Sequence, residues 1–448
     1  MASALDHLTG LRDADDRYDM PPAEIMPLQI EAANERLETR IRRIPLLKNR
    51  AEADGITEIS KPADLVPLLF AHNTYKTYSE PWLIDGKWDR MARWLQTVST
   101  YEVGDSRFAD VEGLDEWITS LEREGRYVAC SSGTTGKPAM LGATEADLEF
   151  GPKANVSSFS WATGVKPAND RHFFGLGPRT NVTRNERIRQ AMVDAFGLEG
   201  EVPYQLPIPP ITVGSTMAMI MLRRRIADGT ARPGEVAEFE RVSSERQANL
   251  DAAQSDAVNA LVKARDHKLL LSGFFPSLYP LAVGVREQGY SGKDFQPDTA
   301  LLTGGGLKGT DLPPDYREFI FDTFNLADER VFQMYSMQEL NTPFPRCRAG
   351  RYHVAPWVMM LPLDAPGEQL LDATEREIEA RAAFFDLSLD GRWGGVISGD
   401  RVTVDFRACH CGHQGPTVGP EIVRYADLEG GDKITCAGTI DAYVRGAA

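Results

Sequence analysis

From Pro22 to about Asp54 the apolar residues Ile25, Leu28, Ile30, Leu37, Ile41, Ile44 and Leu47 recur at mostly helical intervals among Glu and Arg. That pattern predicts an amphipathic helix near the start of the chain. The stretch from Ile59 to Tyr78 is punctuated by proline and leads to Trp82, Trp88 and Trp94; it reads as core with surface loop and is assigned no chemistry. After Tyr127 the pattern changes: the short apolar runs YVAC, HFFGLG, KLLLSGFF, TALLTGGG and RVFQMYS are separated by segments long enough for helices. Alternation of this kind implies a parallel sheet with crossover helices. Glu235 to Lys268 is Ala-rich, polar and nearly free of Gly and Pro, and so reads as one long helix. Beyond Val354, VAPWVMMLPLD and RWGGVISGDRVTVDF predict strands around a DAPGE turn, so a smaller β-rich unit is expected to close the body.

At 448 residues and 42% hydrophobic, the chain can bury a large core. The expected division is a helical part over 1–120, an α/β core over 121–345, and a β-rich part over 346–437. The longest apolar stretch, Ile211 to Leu222, is too short to span a bilayer and runs into Arg223, Arg224 and Arg225, so a buried helix or strand is expected and no membrane partner. The 65 acidic and 49 basic side chains leave a formal charge of −16 with no dense Lys/Arg tract, which excludes a nucleic-acid partner. Met1 to Asp19 lacks the basic start and apolar stretch of a secretory signal, so a cytoplasmic location is expected. A homodimer is the default expectation for the oligomeric state.

The strongest local signal is YVACSSGTTGKP, Tyr127 to Pro138, where an apolar strand runs into small hydroxyl residues, glycines and a lysine. Gly133 and Gly136 let backbone N–H groups turn toward an anion, Ser131, Ser132, Thr134 and Thr135 add hydroxyl donors, and Lys137 adds charge. A Walker loop does not fit, because Ser stands at position 131 and Pro138 follows the lysine. Further on, LLTGGGLK ends a strand in Gly304, Gly305 and Gly306, where a planar base or acyl chain can lie against bare backbone. The segments VFQMYSMQELNT and VISGDR follow.

The octapeptide SSGTTGKP resembles the signature loop of the adenylate-forming superfamily of acyl-CoA synthetases, peptide-synthetase adenylation domains and luciferases. LLTGGGLK resembles its second glycine turn, VFQMYSMQELNT its Tyr-Gly-x-Thr-Glu segment with Ser336 for Gly and Gln338 for Thr, and VISGDR its Gly-Asp segment. The four stand in family order, and the subgroup most similar is that of phenylacetate-CoA ligase and the acyl-protein synthetases of bacterial bioluminescence.

The resemblance implies an α/β fold in which a large N-terminal body carries two parallel-type sheets with helices and a smaller distorted β-barrel. It implies ATP and Mg²⁺ as cofactors, with Lys137, Thr134 and Glu339 as the catalytic set. Tyr335 would stack on adenine beside Ser336, Glu339 would hold the magnesium, and Asp400, next to Arg401, would accept the ribose hydroxyls. The implied reaction is attack of a carboxylic acid on the α-phosphate, giving an acyl-AMP that passes to coenzyme A, a carrier protein or an amine. HFFGLGP (His172 to Pro178) and LLSGFF (Leu270 to Phe275) stand where the family places its acyl pocket, and an aryl or hydrophobic acid fits them best. His172 and Arg179 are candidates to meet the acid. The hinge segment of the family corresponds to GTIDAYVRG within 438–448, with Thr439 for the ribose-binding Arg and Ala442 for the second Asp; the C-terminal lid and its lysine are expected to be absent. Arg401, Arg424, Lys433 and Arg445 are the cations available to replace that lysine. The competing reading is an idle relative that binds nucleotide or acyl ligand, or a partner-dependent subunit.

Five cysteines, an odd number, do not suggest a disulfide framework. Cys347 and His353 form one short pair, and Cys409 and Cys411 a second within CHCGH; two such pairs suit a structural zinc site. His410 or His413 can take the place of His353, and unliganded reduced thiols are the plainer alternative. Cys130 reads as packing, whereas Cys436 is the cysteine that similarity to the acyl-protein synthetases marks for acylation.

Overall fold

The computed structural model describes residues 3–102, 104, 108–131, 137–307, 310–432 and 434. They fall into two units, one drawn from 1–132, 137–154 and 337–448, the other from 155–336. Among the described residues no helix is long and apolar enough to cross a membrane.

In the second unit the apolar runs do form a parallel sheet. Tyr204–Gln205, His172–Gly175, Leu269–Ser272, Ala300–Gly304 and Val331–Tyr335 lie in that spatial order, each paired parallel to the next. The runs are continuous rather than alternating because both faces of such a sheet are covered. Successive side chains go to opposite sides: Phe174, Leu269, Leu271, Leu301 and Val331 enter one core with Ala257, Leu261, Leu278 and Phe324 from the helices. Phe173, Leu270, Ala300 and Phe332 enter another with Phe159, Met192 and Phe196. The polar, Ala-rich stretch is the helix Pro233–Lys263, whose buried residues, Ala253 to Val262, all lie in its C-terminal half. The run from Ile211 is also helical, over Val213–Ala227, but only Val213 and Met217 are buried, so the expectation of a buried element is corrected. Its later turns carry Arg223 to Arg225 at solvent-exposed positions.

In the first unit the expected N-terminal helix is two helices, Pro22–Arg40 and Pro45–Asp54. Pro45 is the reason: it disfavours helical backbone at the residue before it, and Ile44 sits at φ −114°, ψ 99°. Tyr127–Cys130 does not join the parallel sheet; it pairs antiparallel with Met140–Ala143. The β-rich part is a sheet in which Tyr352–His353, Thr417–Arg424, Gly395–Asp405, Ile378–Asp386 and Val358–Leu363 follow one another antiparallel, with Phe70–Ala71 added parallel to Gly395–Asp405.

Within this first unit an acidic centre ties the helices to the β-rich part. The Asp147 carboxylate, 1% exposed, accepts hydrogen bonds from the backbone N–H groups of Thr144, Asp390 and Gly391 at 3.0, 2.7 and 2.8 Å. Asp390 in turn accepts from Arg40 and from Thr144 Oγ1, and lies 3.5 Å from Arg36. Burying Asp147 and half-burying Asp390 is tolerable because N–H groups and guanidinium ions meet their oxygens.

Candidate nucleotide and metal sites

Four of the five parallel strands of the second unit end in small residues or at a small residue: Gly175, Ser272 before Gly273, Gly304 before Gly305, and Tyr335 before Ser336; Tyr204–Gln205 is the exception. Ligands of parallel α/β sheets bind outside the carboxyl ends of the strands, and a crest without side-chain bulk leaves backbone open to them. Gly305 has φ +71°, a conformation that glycine adopts without strain. At Gly175 a Cβ would lie 2.3 Å from Gln205 Oε1, so the Gln205 side chain lies across the strand end where a larger residue would displace it. Gly304, Gly305 and Gly306 sit at the carboxyl end of the strand Ala300–Gly304. Tyr335 ends its strand buried, at 6% exposure, and Ser336 is exposed beside it.

His172 begins its strand, at the amino-terminal end of the sheet and away from that crest. Its Nδ1 lies 2.7 Å from Glu201 Oε1 and its ring centroid 4.5 Å from that of His267. Arg179 donates to Glu186 from Nε at 3.1 Å and Nη2 at 2.6 Å. Both candidates for meeting the acid are thus held by carboxylates of the protein.

The first unit carries the other candidates. Ser131 closes the base of the glycine loop: its Oγ accepts from Ala139 N at 2.8 Å, and its N–H donates to Ala139 O at 3.2 Å. Lys137 donates from Nζ to the Tyr78 carbonyl, with Nζ 4.4 Å from the Tyr78 ring centroid. Ser132, Gly133, Thr134, Thr135 and Gly136 lie outside the described residues, as do Lys433, Cys436 and the segment 438–448. Glu339 is half-buried. Its backbone carbonyl accepts from Arg392 Nη2 at 3.3 Å. Asp400 lies on Gly395–Asp405 directly opposite Arg424. Arg401 lies 3.4 Å from Glu379. Burial pushes the Cys130 thiol up to about 12, as suits a packing residue.

Two features of this unit escape the sequence. Arg381, 1% exposed, donates to Asp432 at 2.9 Å and to the Ser398 carbonyl at 2.9 Å, under the Tyr425 ring at 3.8 Å. His72 Nε2 meets the other Asp432 oxygen at 3.0 Å. Pairs of charged residues separated by 51 and 360 positions leave no periodic signal. The second feature is Tyr78, within the stretch assigned no chemistry.

The thiols and the imidazole do gather. Ligand atoms of Cys347, His353, Cys409 and Cys411 all lie within 4.8 Å of one another, and all four residues are buried. Cys347 Sγ is 3.8 Å from Cys409 Sγ, and Cys411 Sγ 3.3 Å from His353 Nε2. His410 is exposed and His413 Nδ1 pairs with Asp19 at 2.5 Å, so of these histidines His353 is the one in the cluster. Burial, then the neighbouring His413, lowers His353 to about 4, keeping the imidazole neutral. Burial pushes the Cys411 thiol up to about 12, and Cys409 and Cys347 add to this. A divalent cation reverses that balance, since thiolate becomes the favoured form beside it. Three sulfurs and one imidazole nitrogen at these separations fit tetrahedral zinc.

No protein-family model matches the sequence, and no curated protein matches it significantly. Solved structures do match. An open conformation of 2-hydroxyisobutyryl-CoA ligase in complex with 2-HIB-AMP and CoA superposes with a TM-score of 0.56 at 13% identity, over 92% of this chain and 72% of that one. The thioesterification state of the same ligase gives 0.55 at 14%, over 92% and 72%. Its postadenylation state gives 0.54 at 13%, over 91% and 69%. The chain therefore has the adenylate-forming fold, as the sequence motifs imply.

Proposed function

We propose that the protein uses ATP to activate a carboxylic acid as an acyl-AMP, releasing pyrophosphate, and then passes the acyl group to a thiol or amine acceptor. The observation that carries this reading is an adenylate-forming fold in which Lys137, Glu339 and Asp400 stand in the family's order. An oxygen of the acid attacks the α-phosphorus in line and the bond to pyrophosphate breaks; no covalent enzyme nucleophile is needed. Lys137 and the loop N–H groups neutralise charge on the phosphates, and Asp400 holds the ribose hydroxyls. Glu339 is the residue that would hold Mg²⁺, which supplies charge neutralisation across the phosphates.

Within the superfamily the reading places the protein in the phenylacetate-CoA ligase and acyl-protein synthetase branch. The acid is aryl or hydrophobic, and coenzyme A, a carrier protein or an amine is the acceptor. Cys347, His353, Cys409 and Cys411 would hold a structural zinc, whose part is to cross-link two segments of the β-rich part rather than to act on substrate.

The test is hydroxylamine trapping across a panel of aryl and fatty acids, beside Lys137→Ala and Glu339→Ala. One acid should give ATP-dependent hydroxamate that both substitutions abolish. Binding of ATP with no hydroxamate from any acid would favour the idle, nucleotide-binding alternative.

A further inference from the structure

We propose that Tyr78 is a positioning residue for Lys137, fixing the lysine of the glycine loop at the point where the loop rejoins its hairpin. The inference rests on the adenylation reading for its purpose and on geometry for its content. Tyr78 grips the chain at two successive residues. Its hydroxyl donates to the Pro138 carbonyl at 2.9 Å, and its own carbonyl accepts from Lys137 Nζ, whose charge lies 4.4 Å from the centre of the Tyr78 ring.

The ring itself is rigidly placed. Tyr78 is fully buried, and Trp94 packs edge-on against it with centroids 5.1 Å apart. Trp94 donates from Nε1 to Thr77 Oγ1 at 2.9 Å, and Thr77 Oγ1 donates to the Thr74 carbonyl at 2.8 Å. Trp94 belongs to the helix Trp88–Val98, which also buries Met91, Ala92, Leu95 and Val98. A chain of packed groups therefore runs from a helix core to the ammonium.

Lysine is a flexible side chain that loses considerable rotamer freedom when it grips a phosphate. A carbonyl and an aromatic face that already confine the ammonium remove part of that loss before ATP arrives.

The test is calorimetric ATP binding to wild type, Tyr78→Leu, Lys137→Ala and the double variant, with circular dichroism to check folding. Tyr78→Leu should weaken ATP binding about two- to thirty-fold, the range that one lost cation–aromatic contact gives. In the Lys137→Ala background the same change should have no further effect, because Tyr78 acts through the lysine. Tyr78→Phe keeps the ring and loses only the bond to Pro138; it should fold and retain most of the affinity. An equal loss in both backgrounds, no loss, or tighter binding in Tyr78→Leu would overturn the proposal and leave the adenylation reading standing. If the wild type binds no ATP, the two fall together.

Discussion

Asp400 faces Arg424 across two antiparallel strands, in direct register. Opposed residues of such a pair project to the same face, so a guanidinium accompanies the carboxylate proposed to hold the ribose. Charge-assisted hydrogen bonds of this kind contribute about 1.5–3 kcal/mol each, or roughly ten- to a hundred-fold in affinity. Asp400→Ala should weaken ATP binding by about that factor and erase the preference for ATP over 2′-deoxy-ATP. Calorimetry with both nucleotides checks this; a preference that survives the substitution removes Asp400 from the site.

The purified protein should carry zinc, and Cys409→Ser should lose it and melt several degrees lower, because one severed ligand opens a buried site. Metal analysis alongside a thermal melt decides the matter. Undiminished zinc in the variant would place the metal elsewhere.

Gly391 tolerates no side chain. A Cβ there would come within 2.6 Å of Ala143 Cα and 2.8 Å of both Asp147 Oδ2 and the Gly142 carbonyl, and two of these are backbone atoms. Gly391→Ala should cost about 3 kcal/mol or more in urea denaturation. A change below about 1 kcal/mol would show that the acidic centre yields more than its packing implies.

Acid should weaken the same centre. Burial alone would raise the Asp390 carboxyl, but Arg40, Thr144 and Arg36 outweigh it and hold the pKa below the usual 3.8. A carboxyl lowered in the folded state contributes stability that is fully present above the unfolded pKa and is lost as pH falls through the folded one. Asp390→Asn should therefore melt lower than wild type at neutral pH and show a shallower further decline below about pH 4. Parallel profiles for the two proteins would contradict the assignment.

What was legible in the sequence had local causes. Leu269 to Leu271 and Ala300 to Leu302 read as buried parallel strands because both their faces need apolar residues, and the cysteine and histidine pairs read as a cluster because short pairs of such donors are the residue types that gather at structural zinc sites. The strand Tyr127–Cys130 has the same composition, yet its antiparallel partner is set by the loop that returns the chain to Met140, which an apolar run does not encode. The break before Pro45 was legible in principle, since proline restricts the residue preceding it. Tyr78 and His72 were not: their contacts with Pro138 and Asp432 span 60 and 360 positions and follow no period.

The most direct test of the central claim is acid-dependent exchange of labelled pyrophosphate into ATP, which reports reversible formation of an acyl-AMP without any acceptor. The account predicts exchange that requires one acid and magnesium and disappears in Lys137→Ala and Glu339→Ala. Exchange that persists in both variants, or none with any acid in a protein that binds ATP, would contradict it.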